Sequence, residues 1–180
     1  RVVASIEDPN PRVAGQGFAR LKAAGVEVLV GPGAEASREL NIGFFSRMAR
    51  GTPWVRLKAA SSLDGRTALP NGRSRWITSP AARADGHAWR ARACAVLTGI
   101  GTVLEDDPQL NVRLPDVLRQ PRLVIVDSRL ETPPGARLWG AAQREVLIYT
   151  SDADTSRAAP LRERGAQLVA LPNAQGKVDL

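Results

Sequence analysis

VRLKAASSLDGRTA (residues 55–68), GRSRWITSPAARADGHAWRARA (72–93) and AVLTGIGTVLEDDPQLNVR (95–113) form the stretch that decides how this chain is read. In order it reads as a strand, a tight turn, a partly aromatic loop, a capped helix, a second strand, a glycine-rich turn and an acidic-then-basic segment. Residues 54–63 carry the first strand, and Asp64-Gly65 and Pro70-Asn71-Gly72 are turn signals. Thr78 or Ser79 caps a helix with Pro80 in its first turn. Along that helix Ala81, Ala84, Ala88 and Ala91 make a small-residue face suited to packing on a sheet, while Arg83, His87 and Arg90 share a separate polar face. Residues 95–98 are a short buried strand, and Gly99-Ile100-Gly101 turns the chain sharply. Small residues, arginines and a Gly-x-Gly turn thus gather where strands end, the layout of a nucleotide or sugar-phosphate site.

The flanking segments continue the alternation. Upstream, residues 2–6 read as a strand and Asp8-Pro9-Asn10-Pro11 as an extended loop. A helix at 13–24 ends at Gly25, a strand follows at 26–30, and a helix at 34–49 stops at Gly51-Thr52-Pro53. Downstream, a loop at 115–120 precedes RLVIVD (122–127), the clearest strand, and further strands at 145–150 and 167–171 flank a helix at 158–165. Strands alternating with helices predict an α/β fold with a mostly parallel sheet. The domain cut falls between 1–52 and 53–180. The sequence opens on a strand and closes without an obvious domain end, so it reads as part of a longer chain.

Composition bounds the function classes. The chain has 180 residues, 43% hydrophobic and 24% charged, enough apolar content for a real core. A formal charge of +7 admits nucleic acid as a partner. The excess is arginine spread along an alanine-rich chain, with lysine only at 22, 58 and 177 and no block of like charge. Residue-usage bias plus a site for anionic ligands explains this pattern better than nucleic-acid binding does. Cys94 is the single cysteine, which excludes a disulfide framework and a cysteine-based metal cluster, and it is expected as a small buried hydrophobe. No apolar stretch is long enough to span a bilayer, and no signal peptide is visible; a soluble, cytoplasmic protein is expected.

Individual residues add weaker signals. Gly99-Ile100-Gly101-Thr102 lets a backbone approach a phosphate, but the third glycine and the following acidic residue of the dinucleotide fingerprint are missing. Arg90 and Arg113 bracket this turn, and a guanidinium fork suits bidentate phosphate binding; a solvated helix arginine and a loop ion pair are the plainer readings. Asp106-Asp107-Pro108 is a carboxylate-capped turn or an acceptor for a ribose. Lys58 stands in an otherwise apolar strand, where a buried charge is costly. Trp76 is a stacking surface or a hydrophobic cover. His87, the sole histidine, is expected to be solvated. One His and one Cys build no metal site, and no Ser-His-Asp arrangement is forced. The residues alone give an α/β protein with a phosphate-bearing ligand and leave the reaction open.

LKAASSLDGRTA, SRWITSPAARAD, LTGIGTVLEDDPQLNVR and QPRLVIVDSRL, in this order, resemble the bifunctional deaminase-reductase family of riboflavin biosynthesis. RVVASIEDPNPRVAGQGFARLKAAGVEV and LNIGFFSRM resemble the tail of that family's deaminase domain. The resemblance implies a dihydrofolate-reductase-like reductase domain, incomplete here, preceded by the C-terminal part of a cytidine-deaminase-like α/β domain. It implies NADPH-dependent reduction of the ribosyl side chain of 5-amino-6-(5-phosphoribosylamino)uracil to the ribityl form. By matching positions, Ala60, Trp76, Thr102, Asp106 and Ser128 are implied NADP contacts. Ser74, Arg90, Leu110 and Arg113 are implied substrate contacts, and Lys58 an implied catalytic or orienting group. Asn10 is implied to face the deaminase substrate. The family's zinc motifs and its later glycine turn are absent from this sequence, so zinc-dependent deamination is not expected of it. Arg73 stands where an acidic residue is expected. The resemblance further implies a small-molecule phosphoribosylamino-pyrimidine as partner, no nucleic acid, no membrane, and a homo-oligomer for the complete enzyme. The alternatives are a basic nucleic-acid-binding α/β module and an inactive remnant.

Overall fold

The structure, a computed structural model, describes residues 1–74, 76–114 and 117–179; Arg75 within the SRWITSP motif, Pro115 and Asp116 of the expected 115–120 loop, and Leu180 lie outside the described residues. The chain forms two compact units, Arg1–Ala59 and Ala60–Leu180.

The first unit holds a two-stranded parallel sheet, β1 (Val2–Ala4) with β2 (Val28–Val30), joined through α1 (Gln16–Ala23). The single helix expected at 34–49 is two helices, α2 (Ala34–Leu40) and α3 (Ile42–Arg50), separated at Asn41. Asn41 leaves helical geometry at φ −112° and ψ 26°, and its side-chain amide donates to the Ser37 carbonyl at 3.0 Å. Asparagine competes for backbone hydrogen bonds in this way, so it ends helices that its neighbours would continue.

The expected strand at 54–63 does not form. Residues 54–60 have no regular secondary structure and make no ladder, and Val55, Leu57 and Leu63 stand 79%, 89% and 110% exposed. Apolar alternation signals strand propensity, but a strand exists only where a neighbour takes its N–H and C=O groups. None of the described residues supplies that neighbour. The turns that follow form as expected: Ser62 N–H donates to the Arg66 carbonyl at 2.9 Å, and Gly65 and Gly72 both take φ 80°.

The second unit is built on a four-stranded, all-parallel sheet in the order β3 (Ala95–Gly99), β4 (Arg122–Val126), β5 (Val146–Thr150), β6 (Ala166–Ala170). Two cross-strand rows, Val96–Leu123–Val146–Ala166 and Thr98–Ile125–Ile148–Leu168, share one face. Leu123, Ile125 and Ile148 are fully buried there. Against this face pack Val103 of α5 (Ile100–Asp106), Leu138 of a 3-10 helix (Arg137–Gly140), and Ala158 and Leu161 of α6 (Ala158–Glu163). The expectation of a mostly parallel α/β sheet holds.

Three local expectations are corrected. Gly99-Ile100-Gly101 is not a bare turn; Ile100 and Gly101 open α5 directly. Cys94 is exposed rather than buried. On α4 (Pro80–Arg92) the Ser79 hydroxyl accepts from Ala82 N–H at 3.2 Å as expected, yet the packing face is the other one. Of the alanine face Ala81, Ala84 and Ala88 are exposed and only Ala91 is partly buried, whereas Arg83, His87 and Arg90 are all partly buried. The inward side chains are those with partners to bond, an outcome that apolar periodicity does not register.

The carboxylate of Asp127, fully buried at the end of β4, accepts from Glu131 N–H (2.9 Å), Thr132 N–H (2.8 Å) and the Thr132 hydroxyl (2.7 Å). Ser128, next in the chain, receives the ends of neighbouring segments. Its carbonyl accepts from the Ser151 hydroxyl at 2.6 Å and its hydroxyl oxygen from Val178 N–H at 3.0 Å. Asp127→Ala is expected to destabilise the second unit by about 2–4 kcal/mol, because it strands buried donors that a charged acceptor now satisfies. Thr132→Val, which removes one donor, is expected to cost about 1 kcal/mol. Chemical denaturation of the two variants checks the ordering.

Candidate functional site

The segment Gln109–Arg113 has no regular secondary structure, and its peptide groups are met by side chains from elsewhere. Arg90 Nη1 donates to the Asn111 carbonyl at 2.8 Å, and Arg144 Nη1 to the Gln109 carbonyl at 3.0 Å. Gln120 closes a two-way clamp on Val112, accepting its N–H at 2.8 Å and donating to its carbonyl at 3.1 Å. Arg113 N–H donates to His87 Nδ1 at 3.3 Å. Within this frame Leu110 takes φ 51°, a left-handed conformation that costs an L-residue with a bulky side chain about 1 kcal/mol or more. A non-glycine residue persists there only when its surroundings over-determine it.

The frame is strongly cationic. Arg90, Arg113 and Arg144 form no ion pair among the described residues. Burial, and behind it the charge of Arg113, holds the Arg90 guanidinium below the ordinary arginine value. Burial and then Arg90 lower Arg144 in the same way. The Arg113 guanidinium donates to the side-chain oxygens of Asn111 (2.8 Å) and Gln109 (3.3 Å). Desolvation, then Arg113, then Arg90 push His87 below the usual histidine range. Cations in partly desolvated surroundings without a counter-ion make a place for an anion.

Arg90, Leu110 and Arg113, expected as substrate contacts, are therefore brought together. Ser74 lies partly buried in the loop before α4. Trp76, 72% exposed, has the Arg83 guanidinium 4.2 Å from its ring centroid, and Arg83 Nη1 also donates to the Thr78 carbonyl. Of the expected cofactor contacts, Thr102 is exposed in the first turn of α5 and Asp106 is its last residue. Ser128 lies just past the end of β4, on the edge of the sheet where parallel strands end and α/β proteins bind ligands. Ala60 is partly buried at the start of the second unit, and Lys58 is exposed on the irregular segment that ends the first. Asn10 is bound into its own loop, its N–H donating to Asp8 Oδ1 at 2.8 Å. The expectation that His87 is solvated is corrected: it is partly buried and accepts a backbone hydrogen bond.

Arg144 and Gln120 have no signal in the sequence. They act on backbone groups of the 109–113 loop that no motif or spacing rule links to them. Among the described residues no group of His, Cys, Asp and Glu is placed to hold a metal ion, and no helix is long and apolar enough to cross a membrane.

The chain as a whole is similar to known proteins. The chain is 40% identical over 171 residues to the riboflavin biosynthesis protein RibD of Aquifex aeolicus, covering 95% of this chain and 48% of that protein. It is 40% identical over 192 aligned positions to RibD of Escherichia coli, covering all of this chain and 51% of that protein. Solved structures agree: Acinetobacter baumannii RibD superposes with a TM-score of 0.84 at 42% identity, over 96% of this chain and 48% of that one. A diaminohydroxyphosphoribosylaminopyrimidine deaminase/5-amino-6-(5-phosphoribosylamino)uracil reductase from Thermotoga maritima superposes with a TM-score of 0.77 at 36% identity, over 86% of this chain and 43% of that one. The chain spans about half the length of the curated relatives it matches. The sequence model of the RibD C-terminal domain matches residues 53–180, and the chain belongs to that family.

Proposed function

We propose that this chain carries the site of an NADPH-dependent reductase of riboflavin biosynthesis, which converts the ribosyl side chain of 5-amino-6-(5-phosphoribosylamino)uracil to the ribityl form. The observation that carries the reading is the pinned Gln109–Arg113 loop, in which Arg90 and Arg113 come together with no ion pair among the described residues, in a chain similar to a Thermotoga maritima protein that bears the reductase name. Arg90 and Arg113 hold the substrate phosphate, Leu110 shapes the loop beneath it, and Ser74 offers a hydroxyl to the sugar. Lys58 takes the polar catalytic or orienting role. Residues 1–52 are the C-terminal part of a deaminase domain, with Asn10 toward that domain's substrate, and 53–180 the N-terminal part of the reductase domain.

The residues present fit a dinucleotide. Gly99 has φ −89° and Gly101 has no positive φ, so neither glycine is needed for the backbone. A Cβ added at either would meet nothing within 4 Å. What remains as a reason for glycine is close approach by another molecule. Ala60, Trp76, Thr102, Asp106 and Ser128 would hold the cofactor. NADPH, when bound, supplies the hydride for C1′ of the ring-opened, imine form of the substrate. The protein's part is placement: α5, seven residues long, spans about 10 Å from the Gly99–Thr102 end to the 109–113 loop. That distance holds the phosphate away from the reacting carbon and keeps the carbon near the cofactor end. The complete enzyme acts in the cytoplasm as a homo-oligomer, without nucleic acid or membrane.

Three outcomes test this reading. Arg113→Ala in the complete enzyme is expected to weaken substrate binding about tenfold or more, with NADPH affinity little changed; equal loss of both contradicts the phosphate role. Gly101→Ala is expected to leave stability equal or raise it by up to about 1 kcal/mol, since it removes a helical glycine, while NADPH binds several-fold more weakly. Titration with NADPH and with duplex DNA over a range of salt separates the reductase from a basic DNA-binding module: saturable NADPH binding is expected, and salt-steep DNA binding without it overturns the reductase.

A further inference from the structure

His87 has no part in the reading above, yet it sits at the centre of the cationic frame. Its Nδ1 accepts from the backbone N–H of Arg113 at 3.3 Å and lies 3.4 Å from Nη1 of Arg90. Arg90 is one helical turn along α4, and the same Nη1 holds the Asn111 carbonyl at 2.8 Å. One lone pair thus faces donors from the two arginines that flank the loop. Only an imidazole with Nδ1 unprotonated, carrying its proton on Nε2, can accept there.

We propose that His87 is a positioning residue for the anion site, whose neutral ring orients the Arg113 backbone and the Arg90 guanidinium, so that protonation of the ring releases them and weakens anion binding. The inference rests on the phosphate role assigned to Arg90 and Arg113. Among the described residues the charged groups that act on His87 are Arg113 from the loop and Arg90 from its own helix, and Arg90 in turn faces Arg144. Arg113 and Arg90 both oppose a further positive charge on the ring. The sign follows: the ring is depressed below its ordinary value near 6.5, so the site is intact above that value and is lost as pH falls through the depressed one.

Because His87 is the sole histidine of these 180 residues, its ring is read without ambiguity by nitrogen-detected NMR of this 180-residue chain. The expected spectrum is the Nε2–H tautomer with a depressed titration; an Nδ1–H tautomer, or an ordinary titration, overturns the proposal before any ligand is added. Inorganic phosphate is then titrated into the wild type and two variants. His87→Ala is expected to weaken phosphate about fivefold at neutral pH, the worth of roughly one hydrogen bond. His87→Asn, whose Oδ1 takes the place of Nδ1 and does not titrate, is expected to recover most of that loss and to abolish the wild type's extra weakening below pH 6.5. Phosphate's own protonation is common to both proteins and cancels in the comparison. Equal phosphate binding by wild type and His87→Ala, or parallel pH profiles for wild type and His87→Asn, overturns the positioning role. Failure of the wild type to bind phosphate while the tautomer is as expected overturns the anion site on which the proposal rests.

Discussion

A backbone segment without helix or sheet must still satisfy its peptide groups, and the Gln109–Arg113 segment does so with borrowed side chains. Arg90, Gln120, Arg144 and His87 each take one or two of its N–H or C=O groups. Three of the four bring charge or a titratable ring with them. Buried peptide groups left unpaired cost about 1–3 kcal/mol each, so the loop's shape and the local field are set by the same contacts. A loop held this way is rigid without being regular, and it tolerates the left-handed Leu110 that a freer segment would relax.

The sheet provides the foundation for this loop. β3 and β4 run parallel, so the chain leaving the end of β3 must return to the start of β4. α5 and the 109–113 loop both lie on that return path. At the other edge Asp127 and Ser128 gather the ends of β4, β5 and the last segment through buried and half-buried hydrogen bonds. The second unit therefore has a hydrogen-bonded edge where the strands end and a cationic one where they begin.

Much of this was legible in the residues. RLVIVD announces a central strand because both of its faces are apolar, and Ser79-Pro80 announces a helix start because capping chemistry is local. The 54–63 segment misleads because its alternation describes a preference, while a strand also needs a distant neighbour. α4 misleads in the opposite sense. Its alanines form the more regular face, but its cations and histidine have carbonyls and a backbone N–H to meet, and pairing outweighs apolar spacing. Arg90 and Arg113 could be picked out by type and position. Gln120 and Arg144 could not, since their partners are fixed by tertiary return of the chain and not by any local motif.

The shortness of α5 has a consequence for how this family can vary. Each added residue would turn everything after it by about 100° and advance it by about 1.5 Å. Between Gly99 and Arg113 there is no slack loop to absorb that rotation, because the segment after α5 is held at Gln109, Asn111, Val112 and Arg113. Insertions and deletions here would swing Leu110 off its perch and part Arg113 from His87 together. Change of length in this stretch is therefore costlier than in outlying turns such as Asp64-Gly65 and Asn71-Gly72, where exposed backbone has less to misalign.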